Sequence, residues 1–431
     1  MKTPRTFLII APFWRNPGHV GVYRVDRFIR WLASKDIPVV LVRAGQEEHT
    51  EKTPWGVEIA IRDPLNIHGD IDQSGTFKKA DRRPNALRRW VAEWVFNPDL
   101  SVVWAKRIAK HPLLQEHMDR VTDILASSPP DSLHLGAYEL AKAYNKRLIL
   151  DRRDGWLDEP LKPLLQRSRI RRFMEGRLER RVLKEAAIVF VTSEVWKEHL
   201  GKRLPFILDK TTVLTNAYPA TLSSNNQVSG NNFVTPPDSA SAQHTISETV
   251  ELLHAGRFTG SNHRQKPQHL LTPLLDAVGS MQSSGSILCL GNLEPEDFSA
   301  IDQFKAPLAE HAWTLETQDR VSREQMLQIM GTVNGLLLLS TPFASVPSKF
   351  FEYLASGKPI LAATQKGSAV WRISEQLPQV FLIDYTQQQF SESVVQFLEA
   401  CQRNEHYSIK PDDFTESTLS QIFFTALNIS P

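Results

Sequence analysis

Residues 346–359 read VPSKFFEYLASGKP. Just before them lies GLLLLS (335–340), a short apolar run of the kind that forms a buried parallel strand. A turn marked by Pro342 and Pro347 leads into an amphipathic stretch. Gly357 stops that stretch ahead of a second apolar run, Ile360 to Ala363. Strand, turn, helix and strand in this order predict a βαβ unit, whose helix begins with unpaired backbone N–H groups suited to a phosphate. Ser348 and Lys349 stand at that start and add a hydroxyl and further N–H groups. Glu352, about one turn in, falls on the same side, and an ionised carboxylate there can accept from two vicinal hydroxyls such as those of a ribose. Spacing alone leaves a plainer reading open, in which Phe350, Tyr353 and Leu354 are simply the core face of an α/β protein.

The same alternation extends in both directions. Apolar runs at 7–11, 39–42, 124–126, 148–150 and 188–192 predict strands in the first half, and those at 250–254, 286–290, 335–339, 360–363 and 380–383 predict strands in the second. Amphipathic stretches lie between them, as parallel sheets with crossover helices require. The chain has 431 residues, and at about 150 residues per domain that length suggests two or three. Residues 221–249, rich in Ser, Asn, Pro and Thr and nearly empty of large apolar side chains, read as an interdomain linker. The expected division is therefore 1–220, linker 221–249, 250–412, and a C-terminal amphipathic helix within 413–431.

Hydrophobic residues make up 41% and charged residues 23%, the balance of a globular protein. A formal net charge of +2 gives no case for nucleic acid as a partner. The two cysteines, Cys289 and Cys401, are far apart and fit neither a disulfide framework nor a zinc site, which suggests a reducing, cytoplasmic setting. Lys2 and Arg5 precede FLIIAPFW, but Pro12 and Arg15 break that run with no small-residue cleavage site, so a first buried strand is expected rather than a signal peptide. No run approaches the roughly 18 apolar residues a spanning helix needs.

In the first half, APFWRNPGHVGVYRVDRFIRWL (11–32) places Gly18 and Gly21 where backbone can approach a ligand at a helix start, with Arg24 one turn in and able to reach an anion. A loose pair of glycines is equally a turn. Further on, ASSPPDSLHLGAYELAKAYNKRLILDRRDGW (126–156) runs a strand into Ser127, Ser128 and two prolines, then a helix, then a strand ending in Asp151-Arg152-Arg153-Asp154. This block and 346–359 together, in this order, resemble the bacterial surface-polysaccharide branch of family-four GT-B glycosyltransferases. There P-S-K-x-x-E-Y-L-A-x-G-K-P and a strand ending in D-x-R-D-x-W recur, and the resemblance covers nearly the whole chain outside the linker.

The resemblance implies two facing Rossmann-like domains with parallel sheets and a deep interdomain cleft, the last helix crossing back to the first domain. It implies a retaining, metal-independent transfer of a sugar from a nucleotide-sugar donor, UDP-linked by expectation, to a glycan or polyprenyl-diphosphate-linked acceptor. Arg257 in HAGRF and Lys266 before QHLLTPLLDAV match the cations that hold the diphosphate. The loop between them is longer than usual, which leaves Arg264 as an alternative to Lys266. Ser348, Lys349 and Glu352 complete the donor set, and residues 317–321 occupy the position of the base-reading loop. An expected earlier glutamate is replaced by Ala344, so sugar contacts would fall to backbone amides. A histidine common after the strand ending at Leu150 is also absent, and Arg153 and Asp154 are the expected reaction-centre residues, with Ser127 and Ser128 on the acceptor side. No cofactor is implied. No cluster has metal-ligand spacing and no D-x-D flanked by apolar residues occurs.

Two basic amphipathic stretches, 87–95 and 167–184, suit an anionic membrane surface with aromatics at the interface. Equally, their apolar faces could pack inward, with the arginines solvated or binding a diphosphate-lipid acceptor. Rival readings are a sugar-nucleotide epimerase of the same fold and a nucleotide-sugar-binding scaffold without turnover. A nicotinamide dehydrogenase is disfavoured because no G-x-G-x-x-G follows a strand.

Overall fold

A computed structural model describes residues 4–16, 19, 21–68, 94–158, 162, 165, 167–218, 249–258, 265–281, 283–387, 392–408 and 414–430. The chain divides into two compact units, Met1–Leu214 with Ser420–Pro431, and Thr215–Leu419.

The first unit holds strands β1 (Phe7–Ile10), β2 (Val39–Gly45), β3 (His49–Thr53), β4 (Gly56–Arg62), β5 (Asp123–Ser128), β6 (Arg147–Arg152), β7 (Ile188–Val191) and β8 (Thr211–Val213). They form one sheet in the order β3-β4-β2-β1-β5-β6-β7-β8. Its pairs are parallel except β3 with β4. Helices α1 (Gly21–Ala33), α2 (Val102–Ile108), α3 (Pro112–Met118), α4 (Ser132–Tyr144), α5 (Arg169–Glu185) and α6 (Glu194–Arg203) connect them. Central strands such as FLII in β1 are buried at every residue, which is why they read as continuous apolar runs. The direction of strand order reverses at β1, with β2 on one side and β5 on the other. At such a switch point the loops leaving the carboxyl ends of the strands diverge and open a crevice.

The second unit holds β9 (Thr249–Ala255), β10 (Ser284–Leu290), β11 (Trp313–Gln318), β12 (Gly335–Ser340), β13 (Ile360–Thr364) and β14 (Val380–Asp384). Their order is β11-β10-β9-β12-β13-β14, all parallel, with the switch between β9 and β12. Helices α7 (Gln268–Ser280), α8 (Pro295–Ala309), α9 (Arg323–Thr332), α10 (Ser348–Ala355), α11 (Ala369–Ser374) and α12 (Glu392–Gln402) lie between the strands. Leu252, Phe258, Leu274, Ile287, Leu337 and Phe397 are among the side chains of its core. A last helix, α13 (Glu416–Leu427), enters the first unit from Ser420 onward. Phe423 there is fully buried against Phe28 and Phe190 at ring-centroid distances of 5.1 and 5.6 Å.

Each expected strand falls on an observed one, usually lengthened by one to three residues. Four strands were not anticipated. β3, HTEKT, has no large apolar residue and is an exposed antiparallel edge. β11, WTLETQ, is an edge whose alternating pattern buries only Trp313 and Leu315. β4 carries a legible alternation of Val57, Ile59 and Ile61, while β8 spans only 3 residues. The first unit ends at Leu214, a few residues before the expected boundary. The expected linker lies outside the described residues but for its last residue, Thr249, which opens β9. Gly18, Arg264 and residues 87–93 of the first basic stretch also lie outside them.

Candidate functional site

In the second unit the site grows from the end of β9. Its last residue, Ala255, is fastened by α10 on both sides: its N–H donates to the buried Tyr353 hydroxyl at 2.8 Å, and its carbonyl accepts from Lys349 Nζ at 2.9 Å. Gly256 follows with φ +112, a conformation that favours glycine, and a Cβ there would lie 3.4 Å from Lys349 Nζ. Its N–H donates to the Leu290 carbonyl at 2.7 Å. These bonds fix a turn that delivers Arg257, exposed, just beyond the sheet. Beneath it, buried His254 stacks on Phe258 with ring centroids 3.9 Å apart and shares a hydrogen bond with the Leu337 carbonyl at 3.0 Å. Burial holds its imidazole neutral, with a pKa well below the ordinary value.

Burial also lowers Lys349 to a pKa of about 8. Its amine thus sits at the base of the Gly256 turn as a cation that gives up its proton easily. Helix α10 starts after Pro347, which offers no side-chain cap, so its first turn keeps backbone N–H groups for a ligand. Ser348 is exposed at that start. Lys266 is exposed just before α7, and buried Gln265 beside it anchors this entry by donating to the Leu339 carbonyl at 3.1 Å. Among the described residues neither Arg257 nor Lys266 forms an ion pair. Glu352 is mostly buried and already engaged: its Oε1 accepts from Arg323 Nε at 3.1 Å and Nη2 at 2.9 Å. Sequence reading did not single out Arg323, because nothing about its spacing from Glu352, 29 residues apart, marks the pair. Of the expected base-reading loop, Thr317 closes β11 with Gln318, and residues 319–321 lead to α9.

In the first unit the residues converge at the ends of β1, β5 and β6. Gly21 opens α1, and its N–H donates to His19 Nδ1 at 3.1 Å. A Cβ on Gly21 would strike the Phe13 ring at 2.8 Å and His19 at 2.9 Å, so the position admits no larger residue without a shift. Phe13 and His19 stack with centroids 4.1 Å apart, and the Arg153 guanidinium lies 5.8 Å from the centroid of the Phe13 ring. Arg153 is fixed by donating Nε to the Ser128 carbonyl at 2.9 Å and Nη2 to the Pro129 carbonyl at 3.3 Å. Burial, helped by Arg153, drops the pKa of His19 to about 4, leaving a neutral ring that accepts at Nδ1 and donates at Nε2. Asp154 makes no hydrogen bond with a described residue. Burial raises its pKa, against the pull of Arg153. Arg153 and Asp154 are therefore not a hydrogen-bonded pair: Arg153 is held by backbone carbonyls, and Asp154 feels it only through its charge. Phe13 and His19 went unremarked in the sequence, although His19 stands between the two glycines that were.

Two expectations are corrected here. Arg24 does not reach for an external anion: it is 3% exposed and grips Asp151 with Nε at 2.8 Å and Nη2 at 2.7 Å, the latter also donating to the Leu214 carbonyl. Ser127, fully buried, gives its hydroxyl to the same carboxylate at 2.7 Å. Asp151 is buried at the end of β6. Burial opposes its ionisation, but Arg24 and Ser127 together hold its pKa below the usual range. The strand end that carries Arg153 and Asp154 is thus braced by the two residues first read as ligand contacts. Ser128 is also buried and serves through its carbonyl. Among the described residues no group of His, Cys, Asp and Glu could hold a metal ion.

No protein-family model matches the chain, and no curated protein matches it. Solved structures do. Anabaena Alr3699/HepE in complex with UDP and glucose is 13% identical, with a TM-score of 0.58 over 98% of this chain and 99% of that one. An alpha,alpha-trehalose-phosphate synthase (UDP-forming) from Burkholderia xenovorans, in complex with glucose-6-phosphate, is 12% identical, with a TM-score of 0.58 over 98% of this chain and 100% of that one. A glycosyltransferase from Rickettsia africae is 13% identical, with a TM-score of 0.55 over 99% of each. The chain has the GT-B glycosyltransferase fold, with two parallel-sheet domains.

Proposed function

We propose that this protein is a retaining glycosyltransferase that moves a sugar from a UDP-linked donor to a glycan or lipid-linked acceptor in the assembly of a surface polysaccharide. The observation that carries the reading is the end of β9. There Lys349 fastens the Gly256 turn, exposed Arg257 follows it, and α10 starts without a side-chain cap, which brings cations and N–H groups to the same end of the sheet. A nucleoside diphosphate leaving group gains negative charge as the glycosidic bond breaks, and such an arrangement meets it. The reading assigns that charge to Arg257, Lys266 and Lys349, with the Ser348 hydroxyl, and to no metal. Glu352 takes the ribose hydroxyls. Both Arg323 bonds go to its Oε1, so Oε2 can accept one hydroxyl while the pair persists and both oxygens can once it opens. The UDP and glucose held by Anabaena HepE support the donor class.

In the first unit, Arg153 and Asp154 are assigned to the acceptor and the reacting centre. A carboxyl whose pKa is raised by burial suits holding or receiving the proton of an acceptor hydroxyl near neutral pH. Gly21 with His19 forms the backbone approach beside them.

Titration calorimetry with UDP tests the donor assignment. Wild-type protein is expected to bind, and Glu352→Ala to bind about ten- to a hundredfold more weakly, the worth of charge-assisted bonds to two hydroxyls. Unchanged affinity removes the ribose role. Incubating the wild-type protein with UDP-sugar and no acceptor tests the reaction class: release of an isomerised sugar nucleotide would replace transfer by epimerisation.

A further inference from the structure

The first turns of helix α5 are patterned inside out, while its last turns bury Val182 and Leu183 in the ordinary way. Its buried face carries Arg171, Glu175 and Glu179, while Ile170, Phe173 and Met174 on the opposite face are 66%, 64% and 41% exposed. The buried charges are well bonded. Arg171 donates to Glu175 at 2.6 Å and to the Phe96 and Pro98 carbonyls at 3.2 and 3.0 Å. Trp156 Nε1 donates to Glu175 at 2.7 Å, and Glu179 accepts from Arg152 at 2.8 Å and from Arg203. Turning the helix to bury its apolar side chains would strand those charges, so the exposed face is fixed by the network behind it.

At 100° per residue, Ile170, Phe173 and Met174 share their face with Arg177, Arg181 and Lys184. The face is apolar in its first turns and basic in its last, and Glu175 and Glu179 point away from it. The cations accompany aromatic rings: Arg177 lies 5.7 Å from the centroid of Phe173, and Arg180 lies 5.3 Å from that of Phe206, itself 37% exposed. A 17-residue helix presents a convex ridge about 25 Å long. Exposed apolar side chains edged by cations on such a ridge complement a fluid, negatively charged layer.

We propose that this face of α5 rests on an anionic membrane surface, with Ile170, Phe173 and Met174 entering the headgroup region and the arginines meeting lipid phosphates. No described helix is long and apolar enough to cross a membrane, so the contact is one of lying on the surface. The inference stands on the helix alone and does not depend on sugar transfer.

Co-sedimentation of the full chain with vesicles tests it. Binding is expected to phosphatidylcholine mixed with phosphatidylglycerol, weakening as salt rises, and not to phosphatidylcholine alone. Phe173→Ser and Arg177→Glu, both at exposed positions, are each expected to reduce partitioning about five- to tenfold with an unchanged circular dichroism spectrum. Equal binding to both vesicle types, no binding to either, or variants that partition like wild type would overturn the proposal. So would self-association of the soluble chain that these substitutions abolish, since that would make the face an interface between copies. No turnover is measured, so failure here leaves the transferase reading untouched.

Discussion

In the proposed donor site, Lys349 is the residue whose protonation bears most directly on nucleotide affinity. A free lysine titrates near 10.4, while burial against the Gly256 turn brings this one to about 8. Below pH 8 both folded and unfolded chains hold the proton, and the full cost of the buried cation is felt. Between about 8 and 10.4 the unfolded chain binds more protons, so this group's contribution to stability improves as pH rises. Nucleotide binding runs the other way, because a diphosphate needs the protonated amine. Calorimetric UDP affinity is therefore expected to fall with a slope approaching tenfold per pH unit above about 8. Lys349→Met should bind weakly at all pH values and lose that added slope; an equal slope in both proteins would remove Lys349 from the site. That Ser348, Lys349 and Glu352 lie in the first turns of one helix was legible in the sequence, because the prolines before it and the apolar runs around it mark the helix start. Arg24 was misread for the converse reason: its partner Asp151 is 127 residues away in sequence, and local spacing carries no trace of a buried pair. Arg323 was missed on the same ground.

Elements were legible where burial was complete and obscure where it was partial. β1, β12 and β13 are buried at every position and appear as unbroken apolar runs. β3 and β11 lie at sheet edges, where one face or both meet water and the apolar signal thins. Helix α5 defeats the pattern differently, since its first turns expose Ile170, Phe173 and Met174 and bury Arg171, Glu175 and Glu179, an arrangement that depends on partners such as Arg152, Arg203 and Trp156 from other segments. The end of α10, by contrast, was read correctly from one residue. Gly357 adopts φ +69, and a Cβ there would lie 2.8 Å from the Tyr407 carbonyl oxygen. Its own carbonyl accepts from the Tyr407 N–H at 2.8 Å, so the turn and the segment after α12 are clamped together. Gly357→Ala is expected to cost roughly 1–3 kcal/mol from left-handed backbone and this clash. Denaturant unfolding should show a lower midpoint with unchanged slope; no change would mean the Tyr407 segment yields freely.

At the scale of the whole chain, the alternation of runs and helices announced two parallel-sheet domains. The strand order is another matter, because crossover connections of similar length can place a new strand at either edge. The last helix was assignable only by resemblance: a lone amphipathic helix does not say which surface it covers. The structure answers through α13. Arg5 and Arg147 donate to the Leu427 carbonyl at 2.8 and 3.2 Å, and Phe423 packs among Phe28, Trp31 and Phe190. The first unit thus completes its core with residues more than 200 positions beyond its own last strand. Phe423→Ala removes a fully buried ring and is expected to cost about 3–5 kcal/mol. The loss falls on the first unit, so scanning calorimetry should show its transition displaced downward while the heat absorbed by Thr215–Leu419 stays near its original temperature. UDP binding, assigned to the second unit, should survive at temperatures below that early transition. If the Phe423 variant melts like wild type, α13 is an accessory to the first unit; if UDP binding disappears with folding intact, the nucleotide site extends beyond the second unit.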